Sequence, residues 1–510
     1  MKNILFAVSE IEGIVKTGGL ADVAKALPLA LNQLGYDARA ILPYYQEIKT
    51  TLLIENALET IEFSLSLSQE YQVKVHLFRH NESLLFAIDI APLFDRVGIY
   101  GSNYDAFEDN GERFGVYAIA ILHFFEHFAE QIQFSPEIIH CNDWHTALIP
   151  ALFAQSDYWK NSNCETLLSI HNGAFQGIFH AQTVPSLLHK LGWEHFDVDT
   201  INFLKLGIRH AGKVVAVSPN YAEELLTPLG SHYLYDTFQQ AKERCHGILN
   251  GCEYKDWSPE TDPLIPFNYD VNSLDIKAKN KQSLQEQLGL TVDANIPVIA
   301  QVSRITDQKG FDFLIPALRK LVQHRVQLVI AGQGNPYYVE QLKNIAKEYP
   351  DRIHFHNGYS EELAHQYMAG ADYFLVPSLF EPCGLTQMYA LAYGTLPIVR
   401  KVGGLKDTVR DLTRYANANG FVFTKPNPEH LVSAVRRGLV FYHECKKTYR
   451  EMQVRAMNTK YLWQDSAVKY VELYQALHGI ALVQQIENLY DTVTIKTESN
   501  NEQHWQELAS

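Results

Sequence analysis

The chain has 510 residues, 46% of them hydrophobic and 20% charged, with a formal net charge of −15 at pH 7. Such a length holds roughly two to four domains, the composition excludes a disordered chain, and the acidic balance excludes a sequence-independent nucleic-acid binder, which needs a basic face. The first ten residues have too short an apolar core for a signal peptide, residues 117–128 are broken as a membrane span by His123, Glu126 and His127, and six cysteines without a C-x-x-C pair read as the reduced thiols of a cytoplasmic protein.

In chain order, an apolar run at residues 4–8 is followed by K-T-G-G-L-A-D-V at 16–23 and then an amphipathic stretch, so Gly18 and Gly19 sit where a strand-loop meets a helix. Without Cβ atoms these glycines let backbone approach an anion, the helix N-terminus points its N–H groups there, and Lys16 adds a positive charge. The same pair also suits a plain tight turn, and G-x-G-x-x-G is absent. Further strand-like runs at 37–42, 138–140, 166–170 and 214–217 alternate with helical segments. A second series occupies 297–302, 327–331, 353–355, 373–376 and 396–399. This pattern predicts an α/β protein of two doubly wound domains, 1–247 and 248–479, the second ending in a helix within 456–479. The Pro- and Asp-rich residues 257–266 read as a linker or surface loop, and 480–510 as a frayed extension.

Ligands of open parallel sheets lie beyond the carboxyl ends of the strands, so the residues after each run are the informative ones. Arg304 and Lys309 follow 297–302 in one loop, a bidentate fork and a mobile point charge suited to a diphosphate, or else two solvated cations. Glu381 follows 373–376 in F-E-P-C-G-L-T-Q; it is placed to accept sugar hydroxyls or to cap its own helix, while the N–H groups of Gly384, Leu385 and Thr386 face phosphate. Cys383 has no partner base and reads as a packed or substrate-contacting thiol. In the first half, Asp143 and His171 sit at strand ends as polar contacts to a sugar, with Trp144 as a wall. His123-Phe124-Phe125-Glu126-His127 matches H-x-x-E-H, but it lies in an apolar stretch without a third ligand, so no metal is expected.

K-T-G-G-L-A-D-V, H-C-N-D-W-H-T, H-N, I-L-N-G, V-S-R-I-T-D-Q-K-G, F-E-P-C-G-L-T-Q and G-G-L-K-D-T-V occur in one order. With them the chain resembles bacterial glycogen synthase and plant starch synthase over about residues 2–479. The resemblance implies two Rossmann-like domains facing across a deep cleft (GT-B). It also implies retaining transfer of glucose from ADP-glucose to the non-reducing end of an α-1,4-glucan such as glycogen; on the charge, hydropathy and ligand spacing above, no cofactor, metal, nucleic acid or membrane partner is expected. By it, Lys16, Gly18, Gly19 and Asp22 face the donor from the first domain, and Asp143, His171 and Asn250 bound the glucosyl site. Arg304 and Lys309 hold the phosphates and Glu381 the glucose hydroxyls. Cys383, Gly384, Leu385 and Thr386 meet the glucose-phosphate junction, and Tyr359 is similar to the residue that stacks on adenine.

Several positions depart from the family pattern. Residues 11–14 replace a loop that usually contains Pro, Leu379 stands for Arg, Val402 for Thr, and Cys252-Glu253 alters the segment after Asn250-Gly251. The second Glu of many other retaining GT-B enzymes is here Tyr389. No acid in the motifs declares itself a nucleophile for double displacement, which favours front-face transfer driven by positioning and electrostatics. The competing expectations are a related transferase that uses UDP-glucose or makes a small glucoside, and a glucan-binding protein without turnover.

Overall fold

The structure is a computed structural model that describes residues 2–102, 105–192, 199–412 and 416–479; the expected extension 480–510 lies outside the described residues. Its N-terminal sheet runs, in spatial order, Cys245–Gly247, Lys213–Ala216, Glu165–Ile170, Ile138–Asn142, Asn3–Ala7, Asp37–Pro43, Ser83–Asp89, Glu70–His80 and Glu59–Ser66. All neighbours are parallel as far as Ser83–Asp89, and the last two strands form an antiparallel extension. The C-terminal sheet runs Ile353–Asn357, Gln327–Gly332, Val298–Val302, Tyr373–Val376, Leu396–Arg400 and Phe421–Phe423, all parallel.

The parallel strands are apolar runs because helices cover both faces of each sheet. Ile4, Leu5, Phe6 and Ala7 are all fully buried. Glu70–His80 instead alternates exposed and buried residues, with Tyr71, Val73 and Val75 inward. One face of that extension meets water, so it lacks the continuous apolar run that marks the other strands.

Among the parallel strands of each sheet there is one place where the chain reverses its direction of strand addition. In the first it lies between Asn3–Ala7 and Ile138–Asn142, in the second between Val298–Val302 and Tyr373–Val376. The crevices at these switch points receive the loops after residues 8 and 142 and after 302 and 376.

Two expectations are corrected. The stretch 257–266 is no free linker: Asp262 is buried, accepts from His365 Nδ1 at 2.8 Å and from the Tyr393 hydroxyl, and ties the segment to the second domain. The terminal helix, Trp463–Leu477, belongs in sequence to 248–479 but lies against the first helix, Gly19–Gln33, of the N-terminal domain. Its Tyr474 hydroxyl meets His140 Nδ1 at 2.7 Å, and His140 Nε2 meets Ser169 Oγ at 2.6 Å. Burial holds the His140 imidazole far below its ordinary pKa, so it stays neutral, with both ring nitrogens satisfied. The crossing is seated by Gly251, where an added Cβ would come within 2.5 Å of the Trp463 backbone.

Tyr474→Ala removes a fully buried aromatic and leaves a His140 nitrogen without its partner. The expected cost is about 3–5 kcal/mol, read as a lowered denaturant midpoint of the N-terminal domain.

Candidate active site

The glycine loop is fastened by a residue that the motif reading did not single out. Glu10 lies just beyond the first strand and is buried. Its Oε2 accepts the Gly18 N–H at 3.0 Å and the Thr17 N–H, and its Oε1 accepts the Thr17 hydroxyl at 3.0 Å and the Tyr100 hydroxyl at 3.2 Å. Burial raises the Glu10 pKa, while the bonds from Thr17 and Gly18 oppose that shift. The Gly18 N–H expected to meet an external anion is therefore already occupied by an internal carboxylate. The glycines are not demanded by protein packing: a Cβ at Gly19 would meet nothing within 4 Å, and one at Gly18 only Glu10 Oε1 at 3.9 Å. The loop leaves backbone bare toward the crevice, and Lys16 stands beside it, 2.6 Å from Glu12 and 2.8 Å from Asp22. Burial pulls the Lys16 pKa down, but the two carboxylates outweigh it and the net shift is upward.

Across the same switch point, Asp143 takes a positive φ of 54°, a conformation that Asp tolerates better than most residues. This turn aims its Oδ1 at the N–H groups of His171, 2.7 Å, and Asn172, 3.2 Å. Asp143 thus clips the ends of two adjacent strands together, and the sugar contact expected of it is limited to what Oδ2 can offer. Burial pushes its pKa up to about 7. His171 meets Asn142 Oδ1 through Nε2 at 2.9 Å, and burial pushes its imidazole down to about 3, so it is neutral. Trp144 is no cleft wall. It is buried on Phe114, His145 and Phe179, because a Cβ at Gly177 would sit 2.5 Å from its ring and only Gly lets it close.

In the second domain Lys309 and Glu381 come from the two loops of the switch point and meet at 2.6 Å. Ser378 Oγ donates to the same Oε2 at 2.8 Å, leaving Oε1 without a partner among the described residues. Glu381 does not cap the helix Thr386–Ala392. Its loop is braced by Arg400, which donates to the carbonyls of Ser378, 2.9 Å, and Leu379. Gly403 sits against it with φ +40°, where a Cβ would lie 2.0 Å from the Glu381 carbonyl. Arg304 is exposed and has no side-chain partner among the described residues. The two cations of this loop therefore differ: Lys309 is held by Glu381, and Arg304 is open. Burial pushes the Cys383 thiol up to about 12, which makes it a packed thiol and no nucleophile. Gly384, Leu385 and Thr386 are partly exposed at the start of their helix, and Tyr359 is 67% exposed. Asn250 is buried beside Cys383 with its Oδ1 unpartnered.

The two switch points face one another. Ser218 Oγ donates to the Pro382 carbonyl at 2.6 Å, the His232 ring meets Phe380 edge-on at 5.2 Å, and Glu224 accepts the Gly403 N–H at 2.9 Å. Tyr359 lies close enough to Glu12, Lys16 and Asp22 to feel their charges across the cleft. Among the described residues no three His, Cys, Asp or Glu side chains converge as a metal site, and the His123 ring of the H-x-x-E-H match packs at a tilt against Phe63 and His127.

Known proteins are similar to this chain in sequence and fold. The starch synthase catalytic domain family matches residues 3–240 and the glycosyl transferases group 1 family residues 285–452. A glycogen synthase of Aeromonas hydrophila is 45% identical over 485 residues, 92% of this chain and 97% of its own. One of Vibrio cholerae is 42% identical over 485 residues, 93% of this chain and 98% of its own. The chain belongs to the glycogen and starch synthase family. Its structure is similar to the catalytic domain of Arabidopsis thaliana starch synthase IV bound to ADP and acarbose, with a TM-score of 0.82, 28% identity, and coverage of 94% of this chain and 99% of the other. A sucrose-phosphate synthase from Thermosynechococcus elongatus, TM-score 0.58 at 18% identity, shares the fold alone. The protein is a glycosyltransferase of the GT-B fold with glycogen or starch synthase function.

Asp143 makes stability depend on pH. Its folded pKa, near 7, lies above the unfolded carboxylate value, so its contribution is complete at low pH and is lost as pH rises through about 7. Asp143→Asn keeps an acceptor for the two N–H groups and cannot ionise. Its melting temperature should therefore gain on the parent between about pH 4 and pH 7 and run parallel above that range, as thermal unfolding in a pH series would show.

Proposed function

We propose that the enzyme transfers glucose from ADP-glucose to the non-reducing 4-hydroxyl of an α-1,4-glucan, with retention. The observation that carries this reading is the Lys309–Glu381 pair at the switch point of the second sheet, with Arg304 open beside it and Lys16 on the facing loop. Glu381 Oε1 is free to accept sugar hydroxyls, while Arg304, Lys309 and Lys16 supply positive charge where a diphosphate leaves. The C1–O bond to the β-phosphate breaks and ADP takes the electron pair. The acceptor oxygen then bonds to C1 on the same face, and its proton passes to the departing phosphate oxygen. Among the protein groups, Asp143 is committed to backbone N–H groups and Cys383 is a buried thiol, so neither is offered as a covalent nucleophile. Tyr359, exposed on the cleft, offers a ring for the adenine. Glycogen synthase relatives and six unpaired cysteines suit a cytoplasmic setting.

Arg304→Ala should lower kcat by ~10²–10³ at saturating donor, the scale for losing one preorganised charge. Glu381→Gln should keep ADP affinity and lose most transfer. Near-normal turnover in folded Arg304→Ala, or parallel loss of ADP binding and transfer in Glu381→Gln, overturns these assignments.

With glycogen as acceptor, kcat/KM for ADP-glucose should exceed that for UDP-glucose by ~10- to 100-fold, the worth of one aromatic stack on the larger base. Equality, or a preference for UDP-glucose, refutes the donor. Donor consumption that yields a small glucoside refutes the acceptor, and binding without consumption refutes turnover.

A further inference from the structure

Residues 11–15 form a tight reverse turn: Ile11 N–H donates to the Val15 carbonyl at 3.0 Å, and Val15 N–H to the Ile11 carbonyl at 2.9 Å. Gly13 lies within it at φ +85°, the left-handed region that glycine enters without steric cost. The Glu12 N–H donates to the Ala21 carbonyl at 3.0 Å and pins the turn to the helix Gly19–Gln33. This geometry brings Glu12 Oε2 to 2.6 Å from Lys16 Nζ, while Asp22 Oδ1 approaches from the other side at 2.8 Å. Lys16 is thus held between two carboxylates.

The two carboxylates are not equivalent. Asp22 stands in the first turn of the helix, where the dipole favours an anion, and it orients Lys16 from a rigid element. Glu12 stands on a turn, and among the described residues Lys16 is the sole polar partner of its side chain. Lys16 alone touches both carboxylates, with Lys25 acting on Asp22 from further off, at the place where the reading above puts a diphosphate. A donor that engages Lys16 must part it from Glu12 and must approach Glu12's charge.

We propose that Glu12 sets the affinity for the nucleotide donor by competing with the donor's diphosphate for Lys16. The inference rests on the reading that Lys16 meets the donor. Glu12 is partly exposed, so the effect is screened and moderate. Removing its charge relieves repulsion and frees Lys16, and both changes tighten binding.

The test compares Glu12→Gln, Glu12→Ala, Lys16→Ala and the Glu12→Gln/Lys16→Ala double variant, measuring KM for ADP-glucose and inhibition by ADP at low and high salt. Both Glu12 variants should lower KM and the ADP inhibition constant by roughly three- to tenfold. The gain should shrink between about 0.02 and 0.3 M salt, and it should be smaller without Lys16. An unchanged or raised KM in folded Glu12 variants overturns the proposal. So does a fall in kcat at constant KM, which would make Glu12 a positioning group for Lys16. Parent-like donor kinetics in Lys16→Ala would instead overturn the underlying placement of Lys16, an outcome distinct from failure of the Glu12 variants alone.

Discussion

A carboxylate taken out of water must be met by donors or by a cation, and in this protein that requirement fastens the cleft loops to their sheets. Glu10 gathers the backbone of Thr17 and Gly18, Asp143 gathers that of His171 and Asn172, and Glu381 is met by Lys309 and Ser378. Each pairing joins segments distant in sequence or bends a loop back on itself. Loss of any one acid would remove the acceptor that several donors share. The loops beyond the strand ends are ordered by this electrostatic bookkeeping, and Arg304 and Glu381 Oε1 are among the groups left without a partner among the described residues.

The same logic governs how the two domains meet. Asn220 N–H donates to Asp407 Oδ2 at 2.9 Å, Glu224 accepts the Gly403 N–H, and Lys406 reaches Asn220 and Glu223. These are hydrogen bonds and an ion pair between the helices Pro219–Leu225 and Gly403–Thr408 and the residues beside them. The terminal helix is different in kind. Its tyrosines Tyr470 and Tyr474 are buried against His140 and Ser169. The chain crosses back beside Gly251 and Cys252, where Cys252 N–H donates to the Tyr461 carbonyl at 2.8 Å.

Most parallel strands of both sheets are legible because double-sided burial writes them as apolar runs, and the strand-end rule leads from those runs to Lys16, Asp143, Arg304, Lys309 and Glu381, whereas the parallel strands Ser83–Asp89, Cys245–Gly247 and Phe421–Phe423 fall outside the expected runs. The antiparallel strands Glu59–Ser66 and Glu70–His80 were not legible, since a half-exposed strand alternates and offers no run. Glu10 escaped notice for another reason. A single acid before a glycine loop looks like any surface residue until the fold turns its carboxylate onto the Thr17 and Gly18 N–H groups. Trp144 shows the converse error: an aromatic beside polar motif residues was read as a wall, although the closeness of Gly177, invisible in sequence, seats it in the core. Sequence also places the terminal helix with the domain it follows, whereas its buried tyrosines decide which sheet it covers.

Tyr389 illustrates how a position can lose charge and keep a purpose. The ring stacks on Trp257 at 4.2 Å, Trp257 stacks on His365 at 3.7 Å, and His365 is anchored by Asp262. A glutamate at 389 would have to be buried beside this aromatic pile, with the Glu12 and Asp22 charges acting on the same place from the facing domain. An anion there would need a donor to offset its desolvation. A tyrosine avoids that need and extends the stack toward the cleft. The residues 257–266, which read as a linker from their Pro and Asp content, are thus tied to the second domain through Trp257 and Asp262.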